Sequence, residues 1–421
     1  MKKTIILAAA LILALALLAG CTISPIPPEP SAAPTPAAPT ATPDVTAGPG
    51  ATPSPEPSEE PTPTPEPTPE VPEKIYATVT SSSSVVNADD GVMILSVENG
   101  SILVKSSRSA VSDAIAAAFD ELDDEFQLRV GDLRAYAVEQ YDRAVEDGTD
   151  GFWNPCGLVR RFEPARVDEN AVSVLMTESE YLGGAHDSPY VSALNFDTDT
   201  GEELTLRSVC AAGDHSLEDY INSRLAAIGA RHELAEAFFE GWEDTLGTLV
   251  LDDVWYFDAE GITVICNTYL IAPYAAGDIR LTVPYAELTS LLDAKYFPPK
   301  HEEDLGGGEL VVSDTEPADV TSTNRIVRDE GGKKFYFTTE GTLYNVRITL
   351  GTSNFETLEY VPVRDVYALS RMTPDDCIAV QTFIPEILPD LMISYVSGGE
   401  EKSFLISESG MDGSVYLIPQ D

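Results

Sequence analysis

Apolar residues recur along this chain in two periods. Strand-like runs cover Tyr76–Val86, Val92–Glu98 and Ser101–Val104. Between the last two sits Asn99-Gly100, read as a hairpin turn because both residues tolerate positive φ. A helical period then places Val111, Ile115, Phe119, Leu122 and Phe126 on one face, with Ser109 as candidate N-cap. A second helical pattern takes in Leu133, Ala137, Tyr141 and Val145 and stops at Gly148. Strand patterns return at Ala171–Thr177, Tyr190–Phe196 and Glu203–Leu206. Ser216-x-x-Asp219 predicts a capping box opening a helix to about Ile228, and a further helix is expected over roughly 232–245. Val254–Asp258 and Ile262–Asn267 form an expected hairpin around Ala259-Glu260-Gly261. Asp278–Val283 is a strand, and Pro284 opens a short helix ending near Leu292. Strands and helices without regular alternation predict an α+β fold.

Past residue 297 the pattern changes. Residues 298–308, with Pro298-Pro299 and Gly306-Gly307-Gly308, read as a linker. Beyond it, Phe335–Phe337, Leu343–Leu350, Thr357–Val363, Ile378–Phe383, Leu391–Val396, Phe404–Ile406 and Val415–Ile418 are short strand-like runs with turn residues between them. That spacing suits a small all-β, sandwich-like domain over 309–421, to which the sequence assigns no role.

The N-terminal end has no folding pattern of either period. Lys2 and Lys3 precede an unbroken apolar run, Ile5–Leu18, which ends in Leu18-Ala19-Gly20-Cys21. The run is short for a spanning helix and reads as a secretory signal over 1–20. Residues 22–73 hold 18 of the 31 prolines, with Thr, Ala, Ser and Glu. Such a composition lacks the apolar mass to offset its ordering entropy, so 21–73 is expected to be a disordered tether. At polyproline-II rise it spans about 160 Å at most.

Charge and cysteines narrow the function classes. The chain carries 70 acidic and 25 basic residues, a formal charge of −45. Nucleic acid is therefore excluded as a partner, whereas a cationic partner would be steered in. Besides Cys21 there are Cys156, Cys210, Cys266 and Cys377, none in a Cys-x-x-Cys pair, so no zinc or redox motif is read. One or two disulfides or buried free thiols are both compatible with an exported chain.

Two kinds of motif carry a family resemblance. Leu18-Ala19-Gly20-Cys21 resembles the lipobox of bacterial lipoproteins. The resemblance implies cleavage before Cys21, acyl chains (palmitate among them) on that residue, and attachment to the cell membrane on its extracytoplasmic face in a Gram-positive-type bacterium. In the middle of the chain, Tyr181-Leu182-Gly183-Gly184-Ala185-His186-Asp187 is followed by Asn195-Phe196-Asp197 and Thr200-Gly201-Glu202-Glu203-Leu204-Thr205-Leu206. Tyr269-Leu270-Ile271-Ala272-Pro273-Tyr274-Ala275-Ala276-Gly277 later runs into Val283-Pro284-Tyr285. Together these resemble the extracytoplasmic domain of the lysozyme-sensing anti-sigma factor family (RsiV type), also found in peptidoglycan deacetylases of the PdaC type. The resemblance implies an α+β domain over 171–297, preceded by a small α/β domain over 74–170. It further implies a ligand at the cell wall: lysozyme, another cationic protein, or peptidoglycan.

The candidate ligand-binding residues are Tyr181, Gly183, Gly184, His186, Asp187, Tyr269, Pro273 and Tyr274. Glycines before His186 let backbone approach a ligand closely, and Tyr269, Pro273 and Tyr274 could form an aromatic ledge. Equally, the glycines could shape a tight turn across which His186 hydrogen-bonds, and the tyrosines could pack a corner. No Ser/His/Asp spacing and no metal-ligand spacing of histidines is present, so no catalytic residue, metal or cofactor is assigned. Asp197-x-Asp199-x-Gly201 lacks the length of a calcium loop and reads as a hairpin turn. The expected function is a lipid-anchored binding protein. A wall-glycan-modifying enzyme, or an accessory subunit of one, using His186 is one alternative; a structural envelope protein binding through 309–421 is the other.

Overall fold

The computed structural model describes residues 74–300, 307–354, 359–385 and 388–420. The expected signal, Cys21, the tether and most of the 298–308 segment lie outside the described residues. The first described elements are β1 (Ile75–Asn87), β2 (Met93–Ser106) and helix α1 (Ser109–Glu146). β3 (Cys156–Val167), β4 (Ala171–Tyr181) and β5 (Ser188–Asp197) follow. Then come the short helix α2 (Leu206–Val209), α3 (Ser216–Gly229) and α4 (Trp242–Leu246). A three-stranded sheet is made by β6 (Trp255–Phe257), β7 (Gly261–Cys266) and β8 (Ile279–Pro284).

The remaining strands are β9 (Leu310–Ser313), β10 (Ser322–Val327), β11 (Lys333–Thr339), β12 (Leu343–Ser353) and β13 (Tyr360–Met372). β14 (Asp376–Thr382), β15 (Leu391–Ser397), β16 (Glu400–Glu408) and β17 (Val415–Gln420) complete the chain. The fold is α+β with a β-rich C-terminal region, in agreement with the sequence pattern.

Ten strands form one sheet in the order β17-β16-β15-β12-β13-β1-β2-β3-β4-β5. β1 joins its two halves: Tyr76, Ala77 and Thr78 pair with Leu369, Ala368 and Tyr367 of β13. Lys74 forms an ion pair with Asp376, and the Ile75 amide donates to Ser370 Oγ at 3.0 Å. The described residues from 74 onward accordingly cluster as one compact unit. A separate four-stranded sheet, β10-β14-β11-β9, packs on the C-terminal half. Phe335, Phe337, Ile378 and Val380 from it meet Val346, Ile348, Tyr367, Leu369 and Ile393 in a shared core. This is sandwich-like packing in which one layer is continuous with the N-terminal strands.

Alternation decides which side of β1–β5 each layer covers. Val172, Val174, Leu194 and Phe196 face α1, where Val111, Ile115 and Phe119 pack. Ala171, Leu175, Val191 and Ala193 face the opposite way, onto α3 and β6–β8. Burial on both faces explains why β4 reads as a near-continuous apolar run.

Four expectations are corrected. Asn99-Gly100 is not a turn: β2 runs straight through it and pairs in parallel with β3, Asn99 opposite Arg160. A Cβ at Gly100 would lie 2.7 Å from the Arg160 carbonyl oxygen, so glycine here serves close strand approach. The hairpin lies instead at Ala88–Val92, where Ala88 N–H donates to Val92 O at 2.8 Å and Gly91 takes φ +89°. Second, the two predicted helices are one, 38 residues and about 57 Å long. Its buried face runs Phe126, Leu133, Ala137, Tyr141 without a break, and Arg108, not Ser109, holds the N-cap position. Third, Glu203–Leu206 is no strand. Glu203 makes one bridge to Phe196, and Thr205 and Ser208 exchange capping-box hydrogen bonds at 3.1 and 2.9 Å to start α2. Fourth, the helix expected over 232–245 shrinks to a single 3-10 turn and α4.

Candidate functional site

The loop joining β4 to β5 and the loop joining β7 to β8 meet on the surface. The first is turned by Gly183, whose φ of +91° is left-handed, and braced by Tyr181 Oη donating to Gly184 O at 2.9 Å. The second is clamped onto β5 by Asn267. Its Nδ2 donates to Val191 O at 2.9 Å while its Oδ1 accepts from Val191 N at 2.7 Å, which imitates a strand pair with one side chain. Thr268 Oγ1 adds a bond to Pro189 O at 3.3 Å. Pro273 precedes a 3-10 turn, Tyr274–Ala276, that aims Tyr274 back toward the first loop.

His186, Tyr269 and Tyr274 converge there. The His186 ring stacks on Tyr274 with centroids 4.0 Å apart and planes 22° apart. Tyr269 lies 6.1 Å from each of them, centroid to centroid. His186 Nδ1 is 2.6 Å from the Asp187 carbonyl oxygen, so this nitrogen carries the proton and donates. In the neutral ring Nε2 then accepts from Tyr269 Oη at 3.0 Å. With both nitrogens engaged, the imidazole offers a ring face to solvent.

Asp187 anchors the cluster from below. Its carboxylate accepts from the Ser179 hydroxyl and from the Tyr274 hydroxyl. Those two hydrogen bonds, Ser179's first, hold the Asp187 carboxyl below the usual carboxylate range, and the same carboxylate pushes the Tyr274 phenol up. Tyr269 is 56% exposed and has φ +66°, a left-handed conformation that a bulky residue adopts at a cost of about 1–2 kcal/mol. Tyr190 Oη reaches Asp253 at 3.4 Å, and Arg129 is spent between Glu178 and Glu180 at 2.6 and 3.0 Å.

Of the residues singled out in the sequence, His186, Asp187, Tyr269 and Tyr274 therefore form one patch, with Pro273 at its rim. Tyr181, Gly183 and Gly184 shape the turn that presents it. A Cβ at Gly184 would meet only His186 O, at 4.0 Å, so Gly183 rather than Gly184 is the residue whose backbone requires glycine. Sequence reasoning missed Ser179 and Asn267. Nothing in a lone serine inside a strand or an asparagine after one marks it as a partner for a residue 8 or 76 positions away.

The other motif residues serve the scaffold. Asp197 Oδ2 accepts from Lys295 Nζ at 2.6 Å and Tyr296 Oη at 2.9 Å, and Asp199 takes the same lysine at 2.7 Å. Tyr285 accepts from the buried Arg166 at 2.9 Å and donates to Asp258 O at 3.0 Å. Arg166 is itself neutralised by Asp168. Cys156, Cys210, Cys266 and Cys377 are buried free thiols, and burial pushes Cys266 up to about 12 and Cys377 to about 11. Among the described residues no group of three or more His, Cys, Asp or Glu is arranged to hold a metal ion.

The fold and patch define an α+β protein with an exposed histidine–tyrosine surface on two clasped loops. Residues 211–286 match the family described as "Protein of unknown function (DUF3298)", and this match contains Asn267, Tyr269, Pro273 and Tyr274. The loop bearing His186 lies outside the matched residues. A solved DUF3298 family member from Bacteroides fragilis is 20% identical, with a TM-score of 0.42, covering 52% of this chain and 94% of its own. Another, from Pseudomonas aeruginosa, is 16% identical with a TM-score of 0.34, covering 53% and 97%. No curated protein matches the chain.

Proposed function

We propose that this chain is an extracytoplasmic binding protein, held to the membrane through acylated Cys21, that captures a cationic wall-associated protein of the lysozyme type on the His186–Tyr269–Tyr274 patch. The observation that carries the reading is the three-ring cluster, exposed at His186 and Tyr269, backed by half-buried Tyr274, braced by Asp187 and built from the two segments that resemble the lysozyme-sensing family. Exposed rings held rigidly by hydrogen bonds provide contact area at low entropic cost, as hot-spot residues do. The net charge of −45 supplies long-range attraction for a basic partner. A second reading, a peptidoglycan strand lying across the same rings, is favoured by the exposed faces of His186 and Tyr269, since sugar faces stack on aromatic ones.

Calorimetric titration of the protein with lysozyme, at low and moderate salt, tests the proposal. Saturable binding that weakens with salt and loses about tenfold or more in Tyr269→Ala is expected. Absence of heat at micromolar concentrations in both salts rules out the lysozyme reading. The same titration with soluble muropeptides then decides the second.

A further inference from the structure

The pairing of β1 with β13 covers only Tyr76–Thr78, whereas its pairing with β2 continues to Asn87. Beyond Thr78 the two strands fork. The Ile75 amide points toward β13, where it meets Ser370, so by the two-residue period Val79, Ser81, Ser83 and Val85 aim their N–H and C=O groups at the side β13 has left. Among the described residues no strand pairs with that edge. Thr80 through Val85 are exposed, and Val79–Val86 contains neither proline nor charge, the usual guards of an open edge.

The fork encloses a cavity of about 200 Å³, lined by Val79, Thr80, Ser81, Arg328, Leu350 and Arg364, among others. It is cationic in an otherwise acidic chain. Arg364 makes no hydrogen bond or close ion pair with the described residues; burial, then the neighbouring Arg161, disfavours its charge, while Glu98 and Glu163 act on it from farther off in the opposite sense. Arg328 is ion-paired with Asp390 at 3.6 Å, and its Nη1 is buried without a hydrogen bond, so it has capacity for a second carboxylate. Asp329, also on the lining, is occupied by Thr382 Oγ1 at 3.0 Å and Phe383 N at 3.3 Å.

We infer that the open edge of β1 is a strand-addition site for an extended acidic peptide, whose backbone takes the place β13 vacates and whose carboxylate enters the cavity at Arg364 and Arg328. Main-chain hydrogen bonds would give affinity and the two guanidiniums the preference for acid. This site is separate from the aromatic patch and does not depend on its function.

The test is anisotropy titration of the full chain with a fluorescein-labelled octapeptide of alternating valine and threonine carrying two glutamates. Saturable binding is expected, weakened about tenfold or more in Arg364→Gln, and likewise when lysines replace the glutamates. Ser81→Pro removes one outward N–H while sparing the β2 ladder, and is expected to weaken binding to a similar degree without lowering the unfolding temperature. Ser83→Pro serves if the first variant is destabilised. No saturable binding, or binding indifferent to both Arg364→Gln and the proline variants, overturns the inference. So does a dimer of the chain, dissolved by Ser81→Pro, that excludes the peptide, since a second copy would then be the edge's occupant.

Discussion

At the residue scale, two side chains show opposite relations between stability and role. Tyr269 holds a left-handed backbone that an asparagine adopts readily. Tyr269→Asn is predicted to raise unfolding free energy by about 1 kcal/mol while weakening ligand capture. Chemical denaturation and the lysozyme titration read the two effects; a loss of stability would mean the ring contributes more by packing than its backbone costs. Arg160 is the opposite case. It is fully buried, lies 4.3 Å over the Phe126 ring, donates to Asn99 at 2.9 Å and Leu122 O at 2.9 Å, and pairs with Asp123. Arg160→Ala strands Asn99 and opens a void, and about 3 kcal/mol of stability is expected to go. Denaturant unfolding that moves by less than about 1 kcal/mol would contradict this account of the arginine.

Asp197 gives the pH dependence its sign. Burial alone would raise its carboxyl, but the hydrogen bonds from Lys295, Tyr296 and the Asp199 amide outweigh it and hold it below the ordinary value. A group depressed on folding stabilises above its unfolded pKa, about 3.9, and loses that contribution as pH falls through the folded value. Asp197→Asn is therefore predicted to lower stability at neutral pH and to flatten its fall below pH about 4. Thermal unfolding across pH 2–7 measures it; an unchanged acid limb would assign the loss to other carboxylates.

At the element scale, what was legible and what was not follow from where the information lies. Five strands of 309–421 (β11, β12, β14, β15 and β17) and the hairpin of β6 and β7 are local patterns bounded by turn residues and emerge close to where the sequence places them, whereas β9 and β10 fall outside the expected runs and β13 runs nine residues past the expected Thr357–Val363. The join in α1 was hidden because Phe126 and Leu133 are seven residues apart, two full turns, with Gly131 between them. Asn99-Gly100 misled because the pair's turn chemistry was overridden by tertiary demand. The glycine admits the β3 backbone, and the asparagine receives Arg160. Gly100→Ala is expected to cost about 1–3 kcal/mol, as overpacking against an immovable carbonyl does. Denaturant unfolding checks it, and a neutral result would undo the close-approach argument. The patch was legible as two segments but not as one site, because the residues that clasp it, Asn267 and Ser179, act at long range.

At the scale of the whole molecule, the main finding is the continuity of the sheet. The C-terminal half of β13, from Val366 onward, has no distinctive local signature, yet it carries the strand pairing that binds the first described strand to the last third of the chain. Ala368 even contributes to the core beneath α1. Deleting 309–421 is therefore predicted to expose Tyr76 and Ile75 and to abolish cooperative unfolding of the remainder. Dye binding and thermal unfolding read the outcome, and an unchanged transition would make the two halves independent. The charge of −45 belongs to this scale too, because it acts on a partner before contact and fades with salt.

The central claim is that the two clasped loops are where the partner docks. Amide hydrogen exchange of the full chain, with and without saturating lysozyme, measures this directly. The account predicts added protection confined to 181–190 and 267–277. Protection elsewhere, with these two loops exchanging as freely as before, would contradict it.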